Sequence, residues 1–360
     1  MSELEERLSS LGSRLESRMS ELEQRLSDRF GSSASLSGGA SRKGVGSAPV
    51  EARARGAAGG ERRFGLFVGV NEYAVYPGGS RPGVLRGCVA DARNVRAACV
   101  ELGGWTEGRC RLLEDRAATR DAIRGALADL AADAKPGDVV LYFHSSHGGT
   151  DPSAQPGDDT YLCAYDRPYG EACLWSDLAR FREGVRLVCL VDACHSGGLI
   201  GKDAAPSPTF LPPGELPRRL AARFSASRSE GGVRLEDIGW ITAAAGAQYS
   251  LDAGKIGGQF ATRTLVNEGW RAGAADGYTD AILAMGGESA VQSAQAATAL
   301  PAMAVPVPTG RMSFLDLALY ACRTWKDRFS SDPDEGLLQH IPQFFNPSLL
   351  HSVVAGRAGV

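Results

Sequence analysis

The sequence predicts an α/β fold in which helices cover both faces of a mostly parallel central sheet. Residues 139–143 and 187–191 are short apolar runs rich in β-branched and aromatic side chains. Each run stops at small polar residues, as buried strands do. Helix signals precede the first run: Asp91–Leu102 is one segment, and Thr119–Ala134 begins with a capping threonine and ends before a proline. Alternating helices and buried strands are typical of parallel sheets.

Composition and charge narrow the class of protein. The 360 residues are 43% hydrophobic and 22% charged, with a formal net charge of −3, which is ordinary for a soluble globular protein. This balance predicts no nucleic acid partner, and without an apolar run of about 18 residues we expect no membrane span. Eight cysteines are scattered without a CxxC pair, and the first residues are acidic where a secretory signal is apolar. We therefore expect a cytoplasmic protein without disulfides.

Residues 1–30 predict an amphipathic, coiled-coil-like helix. Their apolar side chains lie three or four apart and repeat every eleven residues: Leu4, Leu8, Leu11, Leu15, Met19, Leu22, Leu26 and Phe30. Residues 31–60 are rich in Gly, Ser and Ala and predict a flexible linker. Because an isolated helix of this length is marginal in water, we expect it to form a homo-oligomer or to recruit another protein. The alternative is that it packs on its own domain.

The two apolar runs lead to a histidine and a cysteine. The first continues into His147-Gly148, and the second into Asp192-Ala193-Cys194-His195-Ser196-Gly197. Chemistry in open parallel sheets collects beyond the carboxyl ends of the strands, so the thiol and the imidazole are predicted to meet there. A cysteine in an apolar run is more often a packing residue, but Cys194 follows the run and precedes flexible Ser and Gly residues.

These residues resemble the caspase-like cysteine peptidases (peptidase C14), and among them the metacaspase and bacterial orthocaspase branch. The histidine lies roughly 50 residues before the cysteine, as that family's spacing expects. The resemblance covers about 300 residues through six further segments: Arg63–Asn71, Gly87–Ala92, Pro136–Asp138, Trp240–Ala244, Gly257–Thr262 and Pro342–Phe345. One departure is Ser146, where many relatives carry glycine.

The resemblance implies a caspase-like three-layer sandwich with its usual division into two halves. The peptidase domain is expected over residues 61–356. Within it, residues 61–201 are large-subunit-like, residues 202–232 form a linker, and residues 233–356 are small-subunit-like.

The resemblance also implies the catalytic roles. Cys194 is expected to attack the scissile carbonyl and His147 to transfer the protons, while the backbone N–H groups of Gly148 and Cys194 stabilise the oxyanion. Strand alternation places His144 on the same face as Ser146, which predicts a hydrogen-bonded structural histidine.

Substrate specificity is expected to come from carboxylates near the nucleophile. The family pattern places Cys88, Asp91, Ser145 and Asp192 in the S1 pocket, which holds the residue before the cleaved bond. Two carboxylates in a partly desolvated pocket favour a cation between them, which predicts Arg, then Lys, as that residue. For Asp91 the alternative is a helix-start carboxylate that interacts with the helix dipole.

Four arginines in the predicted linker are candidate sites of self-cleavage: Arg218, Arg219, Arg223 and Arg228. A basic specificity and a long segment between the halves support this interpretation. The alternative is an ordinary solvated surface loop.

The family's chemistry requires no cofactor, but calcium is a possible activator. Asp158 and Asp159 lie in a segment that resembles the one supplying calcium-binding carboxylates in many metacaspases, and Asp151 is a further candidate ligand. Calcium takes six to eight oxygens, of which two adjacent aspartates supply only part. The insertion over residues 286–310 favours no particular role.

The first functional hypothesis is a cysteine endopeptidase that cleaves after Arg or Lys and acts in a bacterial stress, cell-death or defence response, the last part by analogy. The second is a catalytically silent scaffold that assembles partners through the helix over residues 1–30. Retention of both His147 and Cys194 counts against the scaffold. A third hypothesis is a related peptidase with a different pocket, for example one specific for asparagine.

Overall fold

The predicted α/β sandwich is confirmed by a computed structural model. It describes residues 61–151, 160–201, 209–244, 250, 259–271, 311–318, 320–321 and 341–357. Outside the described residues lie the predicted helix over 1–30, the linker over 31–60, the two aspartates 158 and 159 and the insertion over 286–310.

The described residues form the following strands: β1 (Arg63–Gly69), β2 (Cys110–Glu114), β3 (Val139–Ser145), β4 (Gly148–Thr150), β5 (Thr160–Cys163), β6 (Pro168–Gly170), β7 (Arg186–Asp192), β8 (Thr209–Leu211), β9 (Ile238–Thr242), β10 (Arg311–Ser313), β11 (Gln343–Phe345) and β12 (Val354–Arg357). Seven of them form the central sheet in the order β2-β1-β3-β7-β9-β11-β8. All neighbours in this sheet are parallel except β9 and β11. Two small antiparallel sheets, β4-β5-β6 and β10-β12, lie outside it.

The helices are α1 (Cys88–Glu101), α2 (Arg120–Asp133), α3 (Glu171–Leu178), α4 (Arg218–Ser227), a π-type helix (Gln259–Arg271) and α5 (Pro347–Ser352). Strand β3 shows why both faces of the sheet are covered. Val140 and Tyr142 pack in one apolar core with side chains of α2, α3 and α4. Leu141 and Phe143 pack in the other with α1, the π-type helix and α5. Because side chains alternate along a strand, an uninterrupted apolar run requires an apolar layer on each side.

Both predicted helices are present. Helix α2 matches the prediction closely: the hydroxyl of its N-cap residue Thr119 accepts a hydrogen bond from the amide of Ala122 (3.2 Å), which satisfies one of the free N–H groups of the first turn. Helix α1 begins at Cys88, three residues before the predicted start, so Asp91 lies within its first turn.

Part of the predicted linker over 202–232 has regular structure in the residues that the structure describes. Residues 209–211 form β8, which pairs with β11 in the central sheet, and residues 218–227 form α4. Leu216, Leu220 and Phe224 are buried and recur at a spacing of four, which is the helical signal that the prolines and small residues around them obscured. These three side chains attach the described part of the segment to the core, while residues such as Arg228 stay exposed.

Among the helices that the structure describes, none has the length and apolar character needed to cross a bilayer.

Candidate active site

Strands β3 and β7 end side by side, and this brings the predicted catalytic residues to one edge of the sheet. The two strands are parallel, and their last residues, Ser145 and Asp192, are register partners. The chain leaves β3 toward His147 and leaves β7 toward Cys194, as the sequence predicted. The amide of Ser146 still bonds the carbonyl of Asp192 (3.3 Å), so the two segments remain together beyond the strands.

Cys194 lies in a sharp turn that is attached to β9. The next residue, His195, has left-handed backbone angles (φ 59°, ψ 11°), and a 3₁₀ turn follows over Ser196–Ile200. The hydroxyl of Ser196 accepts from the amide of Ala244 (3.2 Å), and the amide of Gly197 donates to the carbonyl of Ala244 (2.6 Å). These two hydrogen bonds hold the turn with the half-buried thiol at the end of the sheet, so the strained backbone at His195 is tolerated.

Backbone amides surround the sulfur of Cys194. The amide of Ser250 lies 3.4 Å from Sγ, and the thiol lies 3.7 Å from the carbonyl oxygen of the same residue. Burial raises the pKa of Cys194 and the charge of Asp192 adds to this, while the amides of Ser250, Cys194 and Gly148 act in the opposite direction. The net effect is a raised pKa, so the resting thiol is protonated at neutral pH and needs a base to become a nucleophile.

Residue 148 must be a glycine because it lies directly against the backbone of Cys194. A Cβ atom at residue 148 would lie 2.0 Å from the carbonyl oxygen of Cys194, which no real side chain tolerates. The amides of Gly148 and Cys194, predicted as oxyanion donors, are thus neighbours and both act on the sulfur.

His147 is held on its backbone and on its ring. Its amide donates to the hydroxyl of Tyr73 (3.0 Å), and its carbonyl accepts from the amide of Cys163 (2.8 Å). The ring packs on that of Tyr73 with centroids 5.5 Å apart, and Nε2 lies 3.0 Å from the carbonyl oxygen of Gly83. Because a carbonyl only accepts, Nε2 carries the proton, and in the neutral ring Nδ1 is the basic nitrogen.

His144 is a structural residue, as the sequence predicted. It is fully buried, and burial lowers its pKa to about 3. Its Nδ1 pairs with the hydroxyl of Tyr142 (2.7 Å) and its Nε2 with that of Ser146 (3.0 Å). Ser146 in turn donates to the carbonyl of His147 (2.7 Å). The serine that replaces the usual glycine thus joins the buried histidine to the backbone of His147.

The predicted pocket carboxylates are buried and bonded to hydroxyl and amide groups. Asp91 accepts from the hydroxyls of Ser145 (3.0 Å) and Thr262 (2.6 Å). Asp192 accepts from the hydroxyl of Ser250 (2.5 Å) and from the amide of Ala261 (2.9 Å). The structure therefore brings three of the four predicted pocket residues together, since Ser145 bonds one aspartate and pairs in register with the other.

Cys88, the fourth predicted pocket residue, is buried in the first turn of α1, on the same helix turn as Asp91. It lies close enough to Tyr73 to influence the pKa of that hydroxyl, and Tyr73 is the residue that holds His147. Asp91 lies in the first turn of α1, as a helix-start carboxylate does, and this position is compatible with the predicted pocket role.

Several residues of the site were missed by sequence reasoning. Tyr73 and Gly83 hold the histidine, and Ser250, Ala261 and Thr262 bond the carboxylates. The segment Gly257–Thr262 carried a signal, because it matched the family pattern, but no role could be assigned to its residues. The Ser250 hydroxyl and the Gly83 carbonyl had no such signal, because neither group marks a binding site in a sequence.

The candidate self-cleavage arginines differ in their surroundings. Arg218, Arg219 and Arg223 lie in α4, and Arg219 pairs with the fully buried carboxylate of Glu171 (2.8 Å). Arg228 follows the helix with an extended backbone (φ −80°, ψ 129°) and is exposed.

The described residues do not by themselves make a calcium site. Among them, no three or more His, Cys, Asp or Glu side chains cluster in a way that could hold a metal ion. Asp151 is described and exposed, whereas residues 158 and 159 lie outside the described part.

A family model describing the caspase domain (peptidase C14) matches residues 62–285. The matched range includes Cys194, His147, Asp91 and Asp192, and it covers more than half of the chain.

Similar curated proteins include Metacaspase-6 of Arabidopsis thaliana, which is 38% identical over 133 residues, covering 32% of this chain and 34% of the relative. Metacaspase-1 of Scheffersomyces stipitis is 31% identical over 151 residues, covering 38% of this chain and 36% of the relative. The matched part is about a third of the length of these relatives.

Similar solved structures include protein GSU0716 from Geobacter sulfurreducens, with 21% identity, a TM-score of 0.49, and coverage of 82% of this chain and 99% of that chain. Caspase-1 from Spodoptera frugiperda has 13% identity and a TM-score of 0.44, covering 83% of this chain and 91% of that chain.

Proposed function

Since the chain belongs to the caspase domain family of cysteine peptidases, we propose that it is an endopeptidase that hydrolyses peptide bonds after Arg or Lys. Cys194 is the nucleophile and His147 the general base and acid. The observation that carries this proposal is the paired ending of β3 and β7, which delivers an amide-surrounded thiol and an oriented imidazole to one edge of the sheet.

In the first step, the thiol of Cys194 loses its proton to Nδ1 of His147, and the sulfur attacks the scissile carbonyl carbon. The carbonyl π electrons move to oxygen, where the amides of Gly148 and Cys194 stabilise the negative charge. The charged imidazole is stabilised by the Gly83 carbonyl at Nε2 and gives its new proton to the leaving amine. Water then hydrolyses the thioester with His147 again acting as the base.

Specificity for a basic residue follows from Asp91 and Asp192. Both carboxylates are almost fully buried. The hydroxyls of Ser145 and Ser250 that bond them are neutral donors, which form weaker hydrogen bonds with a carboxylate than a charged guanidinium does. A guanidinium carries a full charge and five donors, so it suits a pocket that contains two carboxylates.

The test compares fluorogenic peptides that differ only in the residue before the cleaved bond. We expect turnover of Arg and Lys peptides, little turnover of an Asp peptide, and complete loss in the Cys194→Ala variant. Labelling by a thiol-reactive probe without turnover of any peptide would support the scaffold hypothesis. Preferential cleavage after asparagine in a denatured proteome would support the third hypothesis.

We also propose that residues 1–30 join copies of the chain or recruit a partner, and that residues 31–60 act as a flexible linker to the peptidase. A cytoplasmic stress, cell-death or defence role remains part of this proposal by analogy with the family. Light scattering of the full chain and of a chain that begins at residue 61 tests the self-assembly. An equal number of chains per particle in both would contradict the proposal that residues 1–30 join copies of the chain.

Activation by calcium is the remaining part of the proposal. Its support is the resemblance of the Asp158-Asp159 segment to the calcium-binding segment of many metacaspases. Addition of a calcium chelator to the purified protein should abolish peptide turnover, and excess calcium should restore it. Turnover that is unchanged by the chelator would remove calcium from the proposal.

A further inference from the structure

Ser250 makes three contacts with the two residues on which the proposed reaction depends. Its amide lies 3.4 Å from the sulfur of Cys194, and its carbonyl oxygen lies 3.7 Å from the same atom. Its hydroxyl lies 2.5 Å from Oδ1 of Asp192. The backbone of one residue therefore contacts the proposed nucleophile, while its side chain bonds a carboxylate of the proposed specificity pocket.

These contacts are the ones that a bound substrate needs. The residue before the cleaved bond must bring its carbonyl carbon to the sulfur, within about 3.5 Å, and its side chain to the pocket carboxylate. Ser250 has its carbonyl beside the sulfur and its side chain on Asp192. Ser250 and the substrate residue before the cleaved bond therefore cannot both lie beside the Cys194 sulfur and on Asp192 at the same time.

We propose that Ser250 occupies the place of the substrate residue before the cleaved bond, so that an incoming basic side chain must displace the serine hydroxyl from Asp192. This inference rests on the proposed basic specificity and adds to it the residue that competes with the substrate. Ser250 would thus set the affinity of the cleft for arginine.

The chemistry of the two side chains explains how the exchange can proceed. A serine hydroxyl offers a single neutral donor to the carboxylate, whereas a guanidinium offers two parallel charged donors. The serine satisfies one oxygen of a buried carboxylate in the resting protein, where an unpaired charge is costly. Arginine can replace it with a stronger pair of bonds.

The test measures binding of agmatine, a mimic of the arginine side chain, by calorimetry to the full chain carrying Cys194→Ala. In this background Ser250→Ala and Ser250→Gly each remove the competing hydroxyl. We expect agmatine to bind about tenfold more tightly to both, because a hydrogen bond to a charged acceptor no longer has to be broken. Ser250→Thr keeps the hydroxyl and should bind as the parent does. Ser225→Ala, an exposed serine on α4, is the matched control and should also leave binding unchanged.

Each remaining outcome overturns a specific part of the inference. Equal agmatine binding with and without the Ser250 hydroxyl would overturn the competition and leave the basic specificity intact. Weaker binding after Ser250→Ala would mean that the hydroxyl prepares Asp192 for the substrate. Loss of agmatine binding in every variant, the parent included, would overturn the proposed basic pocket itself.

Discussion

Gly148 lies directly against Cys194. On the side that faces the carbonyl oxygen of Cys194 there is room for the glycine hydrogen but not for a side chain. The contact joins the segment after β3 to the segment after β7, and it places the two predicted oxyanion amides next to each other. A substitution at residue 148 therefore probes the alignment of the site without removing a reacting group.

Gly148→Ala should lower kcat/KM on an arginine peptide by at least about a hundredfold, the size of effect known for loss of an oxyanion donor. The added methyl group must push the cysteine carbonyl away, because it would otherwise lie 2.0 Å from that oxygen. Gly125→Ala is the matched control, since Gly125 lies exposed in α2 with open space around its Cβ position. The control should keep full activity, and equal activity in both variants would contradict the role of the Gly148 contact.

The pH dependence of alkylation tests the protonation state of Cys194. Burial raises the pKa of this thiol, so the reactive thiolate should become abundant only above the usual pH range of a free cysteine. In a His147→Ala variant, which removes the base, the rate of modification by iodoacetamide should still be rising at about pH 9. Mass spectrometry of the peptide that contains Cys194 gives this rate separately from those of the other cysteines. A plateau below about pH 8 would show that the backbone amides outweigh burial.

His144 should make the protein less stable as the pH falls. The folded protein keeps this histidine neutral down to about pH 3, whereas the unfolded chain binds a proton below about pH 6.5. Between these values the unfolded state holds the extra proton, so the free energy of unfolding should fall by about 1.4 kcal/mol for each unit of decreasing pH. His144→Gln removes this titration, and urea unfolding at several pH values should show a correspondingly flatter dependence in the variant. Parallel curves for the two proteins would contradict the assignment.

We expect the wild type to cut itself within residues 209–232, after Arg228 rather than after the arginines of α4. A peptidase binds its substrate extended, and the chain at Arg228 is exposed and extended, whereas Arg219 is fixed in a helix by buried Glu171. Intact mass analysis of the wild type should show fragments that end at residue 228, and the Arg228→Ala and Cys194→Ala variants should remain whole. Arg218→Ala is the matched control and should be cut like the wild type. A cut within α4, or uncut wild type, would contradict the prediction.

The sequence predicted the features that depend on local pattern. His147 and Cys194 each follow an apolar run, and a parallel pair of strands has only one edge where its carboxyl ends meet. The sheet edge that the two residues share could therefore be derived before any coordinates. Helix α2 was predicted with its cap because Thr119 and the following proline are strong local signals.

What the sequence left open depends on contacts between distant parts of the chain. Ser250 and Thr262 reach the carboxylates from far along the chain, and neither residue type marks a binding site by itself. Helix α4 was taken for a loop because its two large apolar residues, Leu220 and Phe224, are outnumbered by polar and small ones. Only the neighbouring α3 and the sheet explain why it is stable there.

The strand order has a consequence for a chain that has been cut after Arg228. Strands β7 and β8 come before that point and β9 and β11 after it, yet β7 pairs with β9 and β8 pairs with β11. The two polypeptides would therefore be interleaved within one hydrogen-bonded sheet, and neither could leave without exposing the shared interior. A nicked molecule would migrate as a single particle in a native gel and separate into two bands only in detergent.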